Sequence, residues 1–318
     1  MKETPSILYL VLPCYNEEAV LPISIDNLTA FLQQQILSGN ISPKSRALFV
    51  NDGSTDKSWN IIADNHKANH FICGINLAGN VGHQNALLSG METAKDLADV
   101  IVTLDADLQD DINKIPEMVE LYEQGCDIVY GVKKERKADS FLKRNSAKFY
   151  YRLMEGLGVK TVYNHADFRL MSKRAVEELF QYQERNLYLR GIIPLLGYKT
   201  GTVYEELRPR AAGESKYTFR KMINLAINGI TSFSIKPPRL VTGLGLVFLL
   251  LSVIIFFYVI ISRLRGVAVS GWSSLILSLW FIGGCILIGL GIIGEYVGRI
   301  YLEVKNRPRY NIETKLLD

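Results

Sequence analysis

The chain has 318 residues, of which 48% are hydrophobic and 21% charged, so its composition excludes an intrinsically disordered protein. Its formal net charge of +4 is too small to indicate a nucleic-acid-binding protein, and we expect no nucleic-acid partner. Its 4 cysteines include no CxxC pair, which favours a reducing compartment over a disulfide framework. The N-terminus reaches a proline and polar residues too early for a signal peptide, so we expect the front of the chain to stay in the cytoplasm.

The first third of the chain alternates between apolar runs of strand length and segments with helical periodicity. The predicted strands are SILYLVL (6–12), ALFVND (47–52), HFICGINL (70–77) and DVIVTLD (99–105). The predicted helices cover residues 17–37, 55–65 and 82–95. Such alternation predicts an α/β domain with a mostly parallel sheet between layers of helices.

Three polar clusters follow predicted strands, and we expect them to meet in one crevice, because open sheets bind ligands beyond the carboxyl ends of their strands. The clusters are PCYNEE (13–18), NDGSTD (51–56) and DADLQDD (105–111). The first two could instead be turns and helix caps. The third holds four aspartates, more negative charge than a cap requires. Hard oxygen ligands clustered in this way favour Mg²⁺ or Mn²⁺.

Two later segments contain no charged residue, Leu240–Ile261 and Gly271–Gly294. At about 1.5 Å per residue, each is long enough to cross a hydrocarbon core of ~30 Å. Lys and Arg flank the pair more densely than they occupy the loop between them, which predicts a hairpin with both ends in the cytoplasm. The alternative is a pair of buried helices in a soluble core. Apolar positions at helical spacing just upstream predict an amphipathic helix at the membrane surface, or else a core helix.

These patterns divide the chain into four predicted regions. They are a cytoplasmic catalytic domain over 1–216, the interface helix over 217–239, two transmembrane helices over 240–297 and a cytoplasmic tail over 298–318. We therefore expect a multi-pass protein of the cytoplasmic membrane whose catalytic domain faces the cytoplasm.

The three polar clusters, together with NVGHQNAL (80–87), resemble family 2 glycosyltransferases of the Rossmann-like GT-A fold. Later segments resemble the polyprenyl-phosphate branch of that family, which includes bactoprenol glucosyltransferases and, more distantly, dolichyl-phosphate mannose synthases. These segments are HADFRLMSKR (165–174), ERNLYLRG (184–191), RPRAAGESKYTF (208–219) and GEYVGRIYLEVKNRPRY (294–310). Two positions depart from the pattern: Asn51, where many relatives carry aspartate, and the pair His83 and Gln84, where a basic residue is frequent.

The resemblance implies an inverting transfer of a hexose, glucose or N-acetylglucosamine, from a nucleotide sugar, UDP-linked, to undecaprenyl or another polyprenyl phosphate. The implied contacts to the base and ribose are Pro13, Tyr15, Glu17 and Asp52. Asp105 would touch the ribose or a metal-bound water, while Asp107 and Gln109 would ligate Mg²⁺ or Mn²⁺. The product would pass to a flippase and to a further glycosyltransferase of the same pathway, and a homo-oligomer is left open.

The acceptor phosphate is expected to need cations more than a base, because a phosphate monoester with a second pKa of about 6 is largely dianionic at neutral pH. Candidate contacts are Arg208, Arg210, Ser215 and Lys216 in one stretch, and Arg136, Lys143 and Arg144 in another. The second stretch could equally be a solvated or membrane-facing basic surface. Asp167 and Arg169 are the predicted catalytic residues; Asp167 acts as a base or as an orienting group, unless the two form a structural ion pair.

Two other functions fit parts of the sequence. A processive polysaccharide synthase would share the transferase domain, but the chain contains no QxxRW motif and few membrane segments. A membrane-anchored scaffold that has lost activity predicts decay of the acidic cluster, which is complete here. Metal-dependent binding of a sugar nucleotide separates the scaffold from the enzyme.

Overall fold

The computed structural model describes residues 4–133, 165–184, 189–205 and 271–317, together with isolated positions between 241 and 265. The predicted interface helix and most of the predicted first membrane helix lie outside the described residues. The described part of the chain forms one sheet of eight strands with helices on both faces.

Strands and helices alternate over the first 133 residues. The strands are β1 (Leu8–Cys14), β2 (Arg46–Asn51), β3 (Ile72–Leu77), β4 (Val100–Thr103) and β5 (Ile128–Lys133). The helices are α1 (Leu21–Leu37), α2 (Ser58–Ala68), α3 (His83–Ala94) and α4 (Ile115–Glu123), the last preceded by a 3-10 turn at Ile112–Lys114. The four predicted strands and three predicted helices are confirmed, with small shifts at their ends.

The second half of the described chain completes the sheet. It contains β6 (His165–Ser172), α5 (Lys173–Leu179), α6 (Leu189–Ile192), a 3-10 turn at Ile193–Leu196, β7 (Thr200–Glu205), α7 (Trp272–Val304) and β8 (Ile312–Leu316). None of the strands from β5 to β8 is predicted by the sequence analysis.

The strand order is β7-β5-β6-β4-β1-β2-β3-β8. Four of the seven neighbouring pairs are parallel; β6 runs antiparallel between β4 and β5, and β8 runs antiparallel along β3. The predicted mostly parallel arrangement therefore describes β1 to β4, and the complete sheet is mixed. The difference arises because β6 and β8 enter from later parts of the chain rather than through helical crossovers between neighbouring parallel strands.

Alternate residues of β1 enter two hydrophobic clusters on opposite faces of the sheet. Leu8, Leu10 and Leu12 pack with residues of α1, α2 and α4. Tyr9 and Val11 pack with residues of α3 and α5. Both faces of the strand are buried, which explains why β1 is a continuous apolar run. This double packing fixes the ends of the central strands, from which the polar loops begin.

The C-terminal helix α7 has 33 residues. Its segment Phe281–Val304 is long and apolar enough to cross a membrane, and it is the one such helix among the residues described. Large apolar side chains along α7 are exposed, Leu287 to 70%, which disfavours a buried core helix. The helix continues past the predicted boundary at 297 to Val304, and the predicted tail contributes β8 to the edge of the sheet.

Candidate active site

The loops after β1 and β2 are joined to each other at the carboxyl edge of the parallel strands. The side-chain oxygen Oδ1 of Asn16 accepts a hydrogen bond from the backbone N–H of Thr55 at 2.8 Å, and the N–H of Asn16 donates to Oγ of Ser54 at 3.0 Å. The N–H of Glu17 donates to Oγ of Ser58 at 3.0 Å. The expectation that the first two polar clusters meet in space is confirmed.

Asp52 directly follows β2 and holds the loop that precedes α3. Its Oδ1 accepts from the N–H of Val81 at 2.7 Å, and its Oδ2 accepts from the N–H of Gly82 at 3.0 Å. Burial raises the pKa of the Asp52 carboxyl in spite of these donors. Gly53 permits the close approach, since its φ is +64° and a Cβ there would lie 2.5 Å from the carbonyl carbon of Gly79. The predicted contact of Asp52 with the nucleotide stays a prediction.

The other residues predicted to line the nucleotide differ in their accessibility. Pro13 is buried within β1, opposite Val50 of β2. Tyr15 follows the strand directly and is 40% exposed, whereas Glu17 is partly buried. Of the three, Tyr15 offers a ligand the most surface, and the proposed roles stay predictions.

The acidic loop 105–111 turns sharply at Leu108, whose φ of +50° lies in the left-handed region. Oδ1 of Asp107 accepts from the N–H of Gln109 at 3.2 Å, so the two predicted metal ligands belong to one turn. The residues described contain no group of three or more His, Cys, Asp and Glu side chains arranged to hold a metal. A carboxylate and an amide oxygen nevertheless fit Mg²⁺ or Mn²⁺, which commonly take further ligands from water and a diphosphate.

Negative charge accumulates beside this turn. Burial, together with the carboxylates of Asp110 and Asp167, raises the pKa of Asp105 to about 6, and His83 opposes the effect. The side chain of Asp105 is 46% exposed, so solvent screens part of this repulsion. The surplus of carboxylates is the condition that a bound divalent cation relieves, and the residues present therefore fit such an ion.

Asp167, on β6, is surrounded by cationic side chains. Its Oδ1 lies 2.6 Å from Nη2 of Arg169, and its Oδ2 lies 3.1 Å from Nη2 of Arg190. Nε2 of His83 lies 3.4 Å from the same Oδ2 and 3.7 Å from Oδ1 of Asp105. Although burial raises the pKa of Asp167, Arg190 and the other cations outweigh burial and hold the pKa well below its usual range. Such a carboxylate is a weak base, which favours an orienting role.

Arg169 is 1% exposed and packs behind Asp167. Its Nε donates to the backbone oxygen of Asp167 at 3.3 Å, and its Nη1 is buried without a hydrogen-bond partner among the described residues. The predicted pair is thus together in space. The alternative of a structural ion pair fits Arg169, which is buried behind Asp167. Asp167 also contacts Arg190 and His83. The catalytic roles of both residues stay predictions.

Three charged residues that the sequence analysis did not single out border the same edge. Arg190 lies within the quoted motif ERNLYLRG, so a signal for it existed. Nζ of Lys133 lies 3.0 Å from Oδ1 of Asp110, and Oε2 of Glu205 accepts from the N–H of Asp111 at 2.8 Å. Lys133 and Glu205 end β5 and β7, two strands that the sequence analysis did not predict.

The side chains predicted to bind the acceptor phosphate lie outside the described residues. They are Arg136, Lys143, Arg144, Arg208, Arg210, Ser215 and Lys216. The chain enters these two stretches directly after β5 and β7, whose last residues are at the site.

The sequence model of the family described as Glycosyl transferase family 2 matches residues 9–180. The chain belongs to this family. It is 48% identical over 316 residues to the uncharacterized glycosyltransferase YkoT of Bacillus subtilis (strain 168), covering 99% of this chain and 94% of that protein. It is 38% identical over 306 residues to the SfII prophage-derived bactoprenol glucosyl transferase of Shigella flexneri, covering 96% of each. Among solved structures, a glucosyl-3-phosphoglycerate synthase from Mycobacterium tuberculosis in complex with phosphoglyceric acid matches 72% of this chain and 79% of its own, with a TM-score of 0.47 and 15% identity.

Membership of this family confirms the predicted resemblance and identifies the protein as a glycosyltransferase with a GT-A, Rossmann-like mixed sheet. The carboxyl edge of β1 to β4 is therefore the candidate substrate site, because open α/β sheets bind ligands beyond the carboxyl ends of their strands.

Proposed function

We propose that this glycosyltransferase moves glucose from a nucleotide sugar to a polyprenyl phosphate at the cytoplasmic face of the membrane. The observation that carries the proposal is the extent of the similarity to the bactoprenol glucosyl transferase. The family model ends at residue 180, yet the aligned region spans 306 residues and 96% of both proteins. The similarity therefore includes most of the chain beyond the transferase domain. UDP as the nucleotide and inversion at the sugar are parts of this proposal, and N-acetylglucosamine is the second candidate sugar.

On the donor side, we assign the nucleotide to the joined loops after β1 and β2, with Tyr15 and Asp52 at the base and ribose. Asp107 and Gln109 would hold Mg²⁺ or Mn²⁺ at the diphosphate. When bound, the cation neutralises the diphosphate and stabilises it as the leaving group.

On the acceptor side, an oxygen of the lipid phosphate attacks the anomeric carbon. The bond from that carbon to the donor diphosphate breaks, and its electron pair leaves with the nucleoside diphosphate, so the configuration at the sugar inverts. No proton has to be removed, because the phosphate monoester is already largely dianionic above a pKa of about 6. Asp167 then serves to orient Arg190 and His83, with which it is in contact, beside the reacting phosphates.

The connection of the sheet to the membrane helix supports this location. β8 follows α7 and pairs with β3, so the C-terminal end of α7 lies on the same side as the transferase domain. If α7 crosses the membrane once, the chain between β7 and α7 must cross it as well, which is consistent with the predicted hairpin. The described positions from Val241 to Ile261 are helical. Val241 packs close to Gly289 of α7, since a Cβ added at Gly289 would lie 3.1 Å from Cγ1 of Val241.

The test uses the full-length protein in vesicles that contain undecaprenyl phosphate. Radiolabelled UDP-glucose, UDP-N-acetylglucosamine, UDP-galactose and GDP-mannose are each supplied with Mn²⁺ or with EDTA. We expect label from UDP-glucose to enter the lipid phase with Mn²⁺ only, and the anomeric configuration of the product measured by NMR to be inverted. Absence of lipid label from every donor overturns the proposal, and a long polymer in place of a single sugar indicates a processive synthase. A lipid-linked sugar formed on the cytoplasmic face requires a flippase and a later transferase to use it.

A further inference from the structure

A partly buried lysine and a buried glutamate hold the C-terminal end of the acidic loop. Lys133 and Glu205 are the last residues of β5 and β7 and face each other in the parallel register. Nζ of Lys133 lies 3.0 Å from Oδ1 of Asp110, and Oε2 of Glu205 accepts from the N–H of Asp111 at 2.8 Å. Asp110 is buried and Glu205 is 0% exposed. We refer to these four residues as the loop clamp.

The loop clamp acts on a turn with an unfavourable backbone conformation. Leu108 has a φ of +50°, which costs a residue with a Cβ about 1–2 kcal/mol and persists only where the surroundings impose it. Oδ2 of Asp110 accepts from the N–H of Asp105 at 3.4 Å, so the clamped aspartate also closes the loop on itself. Asp107 and Gln109 lie between these anchor points. The position of the clamp therefore determines where the two predicted ligands lie.

Stability alone does not account for the loop clamp. Oε1 of Glu205 is buried without a hydrogen-bond partner among the described residues, and an unsatisfied buried oxygen typically costs about 1–3 kcal/mol. Asp127, just before β5, is a useful contrast. Both of its carboxylate oxygens are paired with Arg174, and its Oδ1 also accepts from Oγ of Ser172 at 2.9 Å. Among the described residues, the carboxylate of Asp127 is thus fully paired, whereas that of Glu205 is paired through one oxygen.

We propose that Lys133 and Glu205 are positioning residues that hold Asp107 and Gln109 in the arrangement that binds a divalent cation together with a nucleoside diphosphate. Neither residue touches the ligand in this inference; they act through Asp110 and through the backbone of Asp111. The inference rests on the proposed function, because it assumes a metal-dependent nucleotide site. Partners that support metal ligands in this way typically change metal affinity by about 10–100-fold when they are replaced.

The first test measures Mn²⁺ binding to the full-length protein in detergent by electron paramagnetic resonance, with UDP or GDP present. Lys133→Met is expected to weaken nucleotide-dependent Mn²⁺ binding by about 10–100-fold. This variant leaves Asp110 buried and unpaired and can fail to fold, so a second variant combines Lys133→Met with Asp110→Asn. If the clamp positions the loop, the double variant recovers thermal stability without recovering Mn²⁺ affinity. Recovery of both would show that Lys133 only neutralises charge, and would overturn the proposal.

The second test concerns Glu205. Glu205→Gln keeps an oxygen that can accept a hydrogen bond from the N–H of Asp111, so it is expected to retain Mn²⁺ affinity. Glu205→Ala lacks this acceptor, and its Mn²⁺ affinity is expected to fall about tenfold. Arg174→Met is the matched control, because it removes the cation that is paired with the buried carboxylate of Asp127 at the opposite end of β5. It should lower thermal stability and leave Mn²⁺ affinity unchanged. Equal losses of affinity in Arg174→Met and Lys133→Met would mean general destabilisation, and the proposal would fail.

A third measurement separates the failure of this inference from the failure of the proposed function. Hydrogen exchange over residues 104–112 in the metal-free protein should be faster in Lys133→Met than in Arg174→Met. If the wild type fails to bind Mn²⁺ in the presence of UDP and in the presence of GDP, the proposed function fails. The hydrogen-exchange result still tests the clamp in that case. If the wild type binds Mn²⁺ and the double variant binds it equally well, only the clamp is refuted.

Discussion

Replacement of Asp167 by asparagine distinguishes a catalytic base from an orienting group. The substitution keeps the shape of the side chain and removes the negative charge that faces Arg169, Arg190 and His83. A general base contributes about 10²–10⁴-fold to a rate and works best when its pKa is near the working pH. The pKa of Asp167 is instead held well below its usual range, because Arg190 and its other cationic neighbours outweigh burial. We therefore expect a loss of orientation rather than the loss of a base.

The size of the effect follows from the contacts. Arg169 is 1% exposed and loses its charged partner 2.6 Å away, and breaking a buried ion pair costs about 3–5 kcal/mol of unfolding free energy. The remaining carbonyl oxygen of asparagine still accepts a hydrogen bond, so we expect a loss at the lower end of that range. We expect turnover to fall by about 10–100-fold, equivalent to ~1.4–2.7 kcal/mol. The charge of Asp167 stabilises the fold above its unfolded pKa of about 3.9, and this contribution is lost as pH falls through the lower folded pKa.

The assay is transfer to undecaprenyl phosphate between pH 5.5 and 9, with thermal unfolding measured at each pH. Both wild type and Asp167→Asn should give flat rates above pH 7 and lose activity near pH 6, where the acceptor phosphate gains a proton. Asp127→Asn serves as the control, because it weakens the ion pair of a buried carboxylate with Arg174 outside the site. An acidic limb that is present in the wild type and absent from Asp167→Asn would identify Asp167 as a base and refute this reasoning.

Further predictions concern the metal turn, the loop clamp and the acceptor. Asp107→Asn should abolish transfer and leave the protein folded and membrane-bound. If this variant transfers sugar at the wild-type rate at limiting Mn²⁺, Asp107 is not a metal ligand. Burial, with the carboxylate of Asp110, raises the pKa of Glu205 to about 7. The folded state then binds more protons than the unfolded state above pH ~4.3, so wild-type stability falls as pH rises to about 7. Glu205→Gln should therefore be more stable at pH 8, by up to ~3.7 kcal/mol, with a smaller difference near pH 5, and equal unfolding temperatures at pH 8 would exclude this shift. Lys216→Ala and Arg210→Ala should raise the KM for the lipid phosphate and spare nucleotide binding; an unchanged KM in both would assign the phosphate to the other basic stretch.

The parallel half of the sheet could be predicted because its strands are buried on both faces and are therefore continuous apolar runs. β6 and β8 could not be recognised in this way. β6, with the sequence HADFRLMS, carries the charged residues of the site, and their partners come from distant segments. β8, with the sequence IETKL, alternates between charged and apolar residues, as an edge strand does, and follows a membrane-compatible helix.

The acidic half of the site could be predicted, and so could Arg169 beside Asp167, but the more distant charged partners could not. Asp105 and Asp107 are two residues apart, so their clustering is visible in the sequence. Arg190 is 23 residues from Asp167, and Glu205 is 94 residues from Asp111. Such pairs are determined by the order of strands in the sheet, which a single sequence does not reveal. The distant partners that shift these pKa values, such as Arg190 for Asp167, therefore required the structure.

The return of the chain to the sheet also determines how far the sheet can lie from the C-terminal end of α7. Seven residues, 305–311, connect α7 to β8, and an extended chain of that length spans at most about 25 Å. Two contacts shorten this reach further. Arg309 donates hydrogen bonds to the backbone oxygens of Tyr182 and Glu184 at 2.9 and 2.7 Å, and the hydroxyl of Tyr310 donates a hydrogen bond to the carboxylate of Glu92. The membrane-compatible helix α7 is thus inserted between β7 and β8 of one sheet and is not attached through a free linker. Because the phosphate of a polyprenyl lipid lies at the membrane surface, the proposed transfer to it is served by the short connection from α7 to β8, which limits the distance between the domain and the end of that helix.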